Sequence, residues 1–354
     1  MRSQIENPQS VLEHSIVSAF DKHLDKPVVV KHLRRLTGGA AAEIWSFDAI
    51  VQSKLFSNTE SGSQTLECIL RRSTAKLSSG SISSRTEALV QQIALQHHVP
   101  AAKVLFILSE EDGMGEGYFM VRDAGETIPR KILRDDEYSA ARNVMTAQCG
   151  TILARIHKIP VASITDCLDA PLPEQSAQDS VEQFYKRYKY IGQPLPVFET
   201  AIQWLRDNLP RSRDLTGGLR VVHGDFRNGN FIVGPEGIRT VIDWEICHLG
   251  DPMEDLGWLC VNSWRFGNID LPVGGFGRRE DLILAYESAS GETVDVNELR
   301  FWEVFGSLKW GIVCLMQTFS HIGNKRRSVE LAAIGRRVSE VEIDLLNLIY
   351  DKGL

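Results

Sequence analysis

The stretch from Val221 to Asp243, VVHGDFRNGNFIVGPEGIRTVID, decides how the chain is read. It opens on an apolar pair, Val221-Val222, then passes at once to His223, Asp225, Arg227, Asn228 and Asn230, with Gly224 and Gly229 between them. A loop that only connects has no use for so many ionisable and amide side chains. NFIV (230–233) reads as a short strand, GPEG (234–237) as a turn and IRTVID (238–243) as a second strand, which makes a hairpin. The turn centres near Glu236, with Asn230 six residues before it and Asp243 seven after. Antiparallel pairing therefore carries both to one end, within about one register step. Asp225 lies just upstream, in the loop feeding the first strand. One amide oxygen and two carboxylates are expected at one mouth. No histidine or cysteine is needed in that group, so a hard, oxygen-seeking cation suits it, Mg²⁺ before zinc.

An oxygen-ligand Mg²⁺ site that is incomplete by itself fills its octahedron with phosphate oxygens, which points to a nucleoside triphosphate. H-G-D-F-R-N-G-N (223–230) has the spacing of the kinase catalytic loop H-R-D-x-x-x-x-N, in which Asp accepts the substrate hydroxyl proton and Asn holds a metal. A second Asp closes an apolar strand, as in D-F-G, although here the element reads D-W-E (243–245). H-x-D alone is weak. The loop, the hairpin and the strand ending in Asp together are specific to a kinase-type site.

Bulk properties bound the reading. A chain of 354 residues suggests two domains or one large two-lobed one. At 43% hydrophobic and 24% charged it can bury a sizeable core. A net charge of −7 gives no support to nucleic-acid binding or to attraction by anionic membranes. Six cysteines (68, 149, 167, 247, 260 and 314) contain no C-x-x-C and read as buried thiols in a reducing compartment. The N-terminus lacks an apolar signal core, and the most apolar long stretch, Phe305 to Phe319, is interrupted by Lys309 and too short to span a bilayer. The expectation is a soluble cytoplasmic protein.

Outward from the hairpin, the chain changes character. A helix is predicted near Gln9 to Leu24, then β-structure over 29–72, with AEIWSFDAI and TLECILRR as strands around a long polar connection. A helix follows from about Arg85 to His98, then strands near Lys103–Leu108 and Gly117–Val121. From Thr127 the pattern is helical, apart from the β-like 220–245. The expected division is residues 1–121, a hinge at 122–127 (RDAGET), and 128–354.

VVHGDFRNGNFIV, VIDWEICHLGDPMEDLGWL (241–259) and GTILARIHKI (150–159) resemble the aminoglycoside phosphotransferase and choline kinase superfamily. Within it, they and the pieces LRR (70–72) and ETIPRKILRD (126–135) are most similar to the branch related to the kinase-like domain of certain acyl-CoA dehydrogenases. The likeness runs from about Leu36 to Ile349. It implies a two-lobed protein-kinase-like α+β fold, a small β-rich N-lobe and a larger mainly helical C-lobe, with ATP between them. Asp225 would be the catalytic base and Asn230 and Asp243 the Mg²⁺ ligands. His223 would brace the loop, with Arg227 and Glu245 in support. In the N-lobe, Gly38 and Gly39 of LTGGAAAEIW would let the backbone approach phosphate. The alanines there offer no hydroxyl, and a full G-x-G-x-x-G is missing. Arg71 of ECILRR stands where the superfamily usually has a phosphate-binding Lys. It keeps the charge in a forked form that is not equivalent. Glu87 is its expected partner, and Arg122 in the hinge counts with the nucleotide-binding residues.

Structural readings stand beside these. Glu87 follows Ser84 by three, as a capping-box Glu does. Asp251 and Asp255 suit an N-cap and first turn, His157 a helix core, and Trp258, Trp264, Trp302 and Trp310 mostly core with one or two facing substrate. The acceptor is a small hydroxylated molecule. From residue 256 onward 13 Asp and Glu face 11 Lys and Arg, no special match to a polycationic aminoglycoside. The basic cluster Lys325, Arg326, Arg327, with Arg336 and Arg337 beyond, would suit an anionic group such as the phosphates of coenzyme A. A hydroxyacyl-CoA acceptor, an antibiotic acceptor and a regulatory pseudokinase are the readings to separate. A protein kinase lacks support, since no A-P-E-like element follows Asp243.

Overall fold

In the computed structural model, residues 8–24, 28–36, 42–51, 64–73, 80–168, 170–210, 218–323 and 328–350 are described. The chain divides into two compact units. The first is residues 1–124 with 166–169 and 242–246; the second is 125–165, 170–241 and 247–354. The segment holding Asp243 and Glu245 thus belongs with the first unit, although it lies far along the chain.

The first unit contains α1 (Pro8–Leu24), β1 (Val28–Leu36), β2 (Glu43–Val51), β3 (Gln64–Ser73), α2 (Ser84–Gln96), β4 (Val104–Ile107) and β5 (Glu116–Val121). Its strands form one antiparallel sheet in the order β1-β2-β3-β5-β4. β3 is central, and Cys68, Ile69, Leu70 and Arg71 are buried on it. Apolar side chains of α1 (Ile16, Ala19 and Phe20) complete the core with Phe47 and Phe119. Phe20 meets Phe47 and Phe119 edge-on at 5.7 and 5.1 Å, the geometry that ring quadrupoles favour. α2 stops two residues short of the expected His98, which turns out of the helix at φ 63.

The second unit contains α3 (Pro129–Arg134), α4 (Ser139–His157), α5 (Val161–Thr165), α6 (Ala177–Ile191), α7 (Pro196–Asp207), β6 (Arg220–Val222), β7 (Phe231–Gly234), β8 (Gly237–Val241), β9 (His248–Gly250), α8 (Met253–Cys260), α9 (Arg279–Ser290), α10 (Val296–Ile322), α11 (Val329–Gly335) and α12 (Val338–Tyr350). Helices α4 and α9 pack together, and α10 packs on α8 and α12. Gly257 and Gly306 let α8 and α10 close up: a Cβ on Gly257 would fall 2.6 Å from the Cβ of Trp302. β7 and β8 form the expected hairpin, turning between Gly234 and Gly237. A register shift after Ile232, which faces Thr240 while Val233 faces Ile238, leaves Arg239 as the extra residue.

Cys68, Cys149, Cys247, Cys260 and Cys314 are buried as free thiols; Cys167 is exposed, against the expectation that all six are buried. No helix among the described residues is long and apolar enough to cross a membrane.

Candidate active site

The sequence-predicted residues fall into two groups, one in each unit. In the second unit β6 delivers the chain into the loop His223–Asn230, and β7 takes it away. The loop is held from behind by Asp255 on α8. Its Oδ2 accepts the His223 backbone N–H at 2.8 Å and its Oδ1 that of Gly224 at 2.9 Å. His157 Nε2 lies 3.2 Å from Oδ2, and its Nδ1 meets the Tyr286 hydroxyl at 2.9 Å. Burial works to raise the Asp255 carboxyl. The hydrogen bond and charge of His157, the charge of His223 and the backbone bond hold it below the usual range all the same. His157 is a buried core histidine and also a strut for the loop.

Asp225 is half-buried and surrounded by donors. Trp258 Nε1 donates to its Oδ1 at 2.7 Å and Arg227 Nε to the same oxygen at 2.9 Å. Asn230 Nδ2 donates to Oδ2 at 2.6 Å and to the Asp225 carbonyl at 2.9 Å. Two acceptors flanking one amide decide its orientation: the NH₂ faces Asp225, so the carbonyl oxygen of Asn230 points elsewhere and is available as a ligand. His223 is fully buried, and its Nδ1 accepts the Asp225 backbone N–H at 3.2 Å. The Arg227 guanidinium lies over the Trp264 ring, its Cζ 4.4 Å from the centroid. Lys309 of α10 covers Trp258 at 4.7 Å and reaches the Gly224 carbonyl at 3.3 Å and Glu254 Oε1 at 3.4 Å.

In the first unit the group centres on Arg71. Its strand neighbours are Ile44 on β2 and Tyr118 on β5. Arg71 Nε donates to Glu87 Oε2 at 3.0 Å, and Nη2 to Asp243 Oδ1 at 3.2 Å and Glu245 Oε2 at 2.9 Å. Glu87 makes no capping box with Ser84. The cap of α2 is Ser83, which accepts from the Thr86 N–H, and Glu87 turns inward to Arg71. Burial, with Asp243 and Glu245 adding to it, pushes the Glu87 carboxyl up to about 7 against the pull of Arg71. Three carboxylates thus share one guanidinium, and Asp243 and Glu245 keep about a third of their side chains open to solvent. Asp243 adopts φ 71, a left-handed backbone that few residues other than glycine tolerate.

Arg122 stands apart from Arg71. It binds Ser46, Asp48 at 3.3 Å and Glu67 at 3.1 Å, next to the Cys68–Val121 pair, about 13 Å along the sheet from Arg71. Gly38 and Gly39 lie outside the described residues, as do Lys325, Arg326 and Arg327. Arg337 is described: it bonds Glu340 at 3.1 Å and lies 5.9 Å over Trp310. In the hairpin, Phe231 after Asn230 pairs with Val241, two residues before Asp243.

The sequence alone assigns no role at the Asp225 carboxylate to Trp258 in particular or to Lys309, and it reads Asp255 as a helix-terminal carboxylate. The spacing Glu254–Trp258 was a usable signal, because residues four apart share one face of a helix.

The sequence profile described as the phosphotransferase enzyme family matches residues 53–291. The chain belongs to that family. Mouse acyl-CoA dehydrogenase family member 10 is 31% identical over 46% of this chain and 15% of its own length. An Arabidopsis thaliana relative is 26% identical over 60% of this chain and 28% of its own. The chain thus spans less than a third of either relative. Among solved structures, a Ralstonia eutropha protein provisionally described as an aminoglycoside phosphotransferase superposes with a TM-score of 0.69, at 18% identity over 95% of this chain and 97% of that one. A spectinomycin phosphotransferase in complex with ADP and spectinomycin gives 0.62, at 12% identity over 94% and 98%. These likenesses establish the protein-kinase-like fold.

Proposed function

We propose that the protein transfers the γ-phosphoryl group of ATP, with Mg²⁺, to the hydroxyl of a small molecule. The observation that carries this reading is the environment of Asp225. Its carboxylate is held by Trp258, Arg227 and Asn230, while the amide oxygen of Asn230 is turned away and available as a ligand. Asp225 would orient the acceptor hydroxyl and take its proton late in the transfer. Arg71 would hold the α- and β-phosphates as a forked cation.

The donors fit a hard cation. Asn230 and Asp243 each present oxygen, and the carboxylates around Arg71 outnumber its single positive charge. Among the described residues no cluster of three His, Cys, Asp or Glu side chains is arranged to hold a metal alone. When bound, Mg²⁺ neutralises charge on the phosphates. Glu245 would steady this region through Arg71, and His223 the loop through its bond to the Asp225 N–H.

For the acceptor we propose a hydroxyacyl-CoA. The relatives named as acyl-CoA dehydrogenases support it, as does the basic run Lys325–Arg327. A screen of ADP release from Mg·ATP across hydroxyacyl-CoAs, amino alcohols and aminoglycosides tests both levels. Turnover with a hydroxyacyl-CoA is the expected result. Turnover only with an aminoglycoside would replace the acceptor, and no turnover with any alcohol would leave the pseudokinase.

A further inference from the structure

Asp225 is gripped by more donors than a loop carboxylate needs. A carboxylate oxygen offers about two in-plane lone pairs. Oδ1 receives two donors, the Trp258 indole at 2.7 Å and Arg227 Nε at 2.9 Å, and is filled. Oδ2 receives Asn230 Nδ2 at 2.6 Å and, among the described residues, no second donor. We propose that Trp258 is a positioning residue: its indole N–H locks the Asp225 carboxylate rotor so that Oδ2 is the oxygen shown to the acceptor hydroxyl. This rests on the reading of Asp225 as the base.

The three donors are not equivalent. Arg227 and Asn230 belong to the same loop as Asp225, so their grip travels with the loop. Trp258 belongs to α8, the helix whose Asp255 holds the backbone N–H groups of His223 and Gly224. One helix therefore fixes both the backbone before Asp225 and its side chain. The indole is itself immobilised. It is 5% exposed, meets Trp264 edge-on at 5.1 Å, and lies under Lys309, whose ammonium also reaches Glu254 on the same helix.

Two measurements on the full chain test this. In ¹H–¹⁵N spectra of protein labelled at its seven tryptophans, the Trp258 indole peak is assigned by its loss in Trp258→Phe. The nearly isosteric Asp225→Asn should move that peak more than any other indole peak. In steady-state assays with the alcohol that gives the highest turnover in the screen above, Trp258→Phe should lower kcat about 10- to 100-fold, the scale of a misaligned catalytic group. KM for ATP should stay within about twofold. In the Asp225→Asn background the same substitution should cost nothing further. An unmoved indole peak, a wild-type kcat in Trp258→Phe, or fully additive losses would each overturn the proposal. Full turnover in Asp225→Asn alone would instead strike the reading of Asp225 as the base.

Discussion

Asp225 and Asp255 are both aspartates held by hydrogen bonds, and their neighbours give them opposite tasks. Both Asp255 oxygens are engaged by the His223 and Gly224 N–H groups and by His157, with no exposed surface, so it can only hold. Asp225 is half-buried, and among the described residues its Oδ2 accepts from Asn230 alone, which suits the base proposed for it. Asp225→Asn should therefore lower turnover by roughly 10²- to 10⁴-fold, the range of a lost general base. ATP affinity should stay within several-fold and the melting temperature unchanged, measured by coupled assay, titration calorimetry and thermal unfolding. Asp255→Ala should cost stability as well. It strands two buried N–H donors at roughly 1–3 kcal/mol each, so urea unfolding should show the loss directly, and kcat should fall beyond the folded fraction because the backbone before Asp225 is released. That Asp225 and Asn230 share one loop was legible because spacing alone carries it. The task of Asp255 was not, because its partners lie about 30 and 100 residues away and no local pattern names them.

At the scale of elements, the hairpin β7–β8 was readable to within two residues at each strand end. Gly234 and Gly237 bracket the turn, and alternating apolar residues set the faces. The extra Arg239 was invisible, since a one-residue bulge leaves composition unchanged. The importance of α8 was hidden for a different reason. Its eight residues are all buried, Glu254 and Asp255 included, so periodicity offered no exposed face to read against. Its closeness to α10 depends on Gly257 having no side chain. Gly257→Ala should destabilise the fold by about 1–3 kcal/mol through overpacking against Trp302. The shift should appear in the urea midpoint with an unchanged slope.

The molecule as a whole should show two opposed pH responses. Asp255 and Glu254 have lowered pKa values, and both are buried. Their contribution to stability is present above the ordinary carboxylate range and is lost as pH falls through their folded values. Glu87 runs the other way. Its folded pKa is raised to about 7, so its contribution is full below the unfolded value of 4.5 and is lost as pH rises through about 7. Thermal unfolding of the nucleotide-free protein should therefore show stability declining between about pH 5 and 7. Glu87→Gln should flatten that slope while leaving the acid limb in place. A wild-type curve that rises across this window would contradict the burial-driven account of Glu87.

The left-handed backbone at Asp243 narrows what can occupy that position. Glycine is comfortable at φ 71, asparagine and aspartate tolerate it, and alanine is disfavoured by about 1–2 kcal/mol. The usual alanine scan would therefore mix a conformational penalty with the loss of the proposed Mg²⁺ ligand and report their sum as one effect. Asparagine separates them, since it keeps the shape and the backbone preference and removes only the charge. Asp243→Asn should melt within a degree or two of the wild type and still lose most of the dependence of ATP affinity on Mg²⁺, as calorimetry with and without the ion would show. By single-base change, an aspartate codon reaches asparagine, glycine and alanine equally easily. The backbone angle, more than the chemistry of the ligand, would then decide which drifted copies of this protein persist as folded molecules without activity.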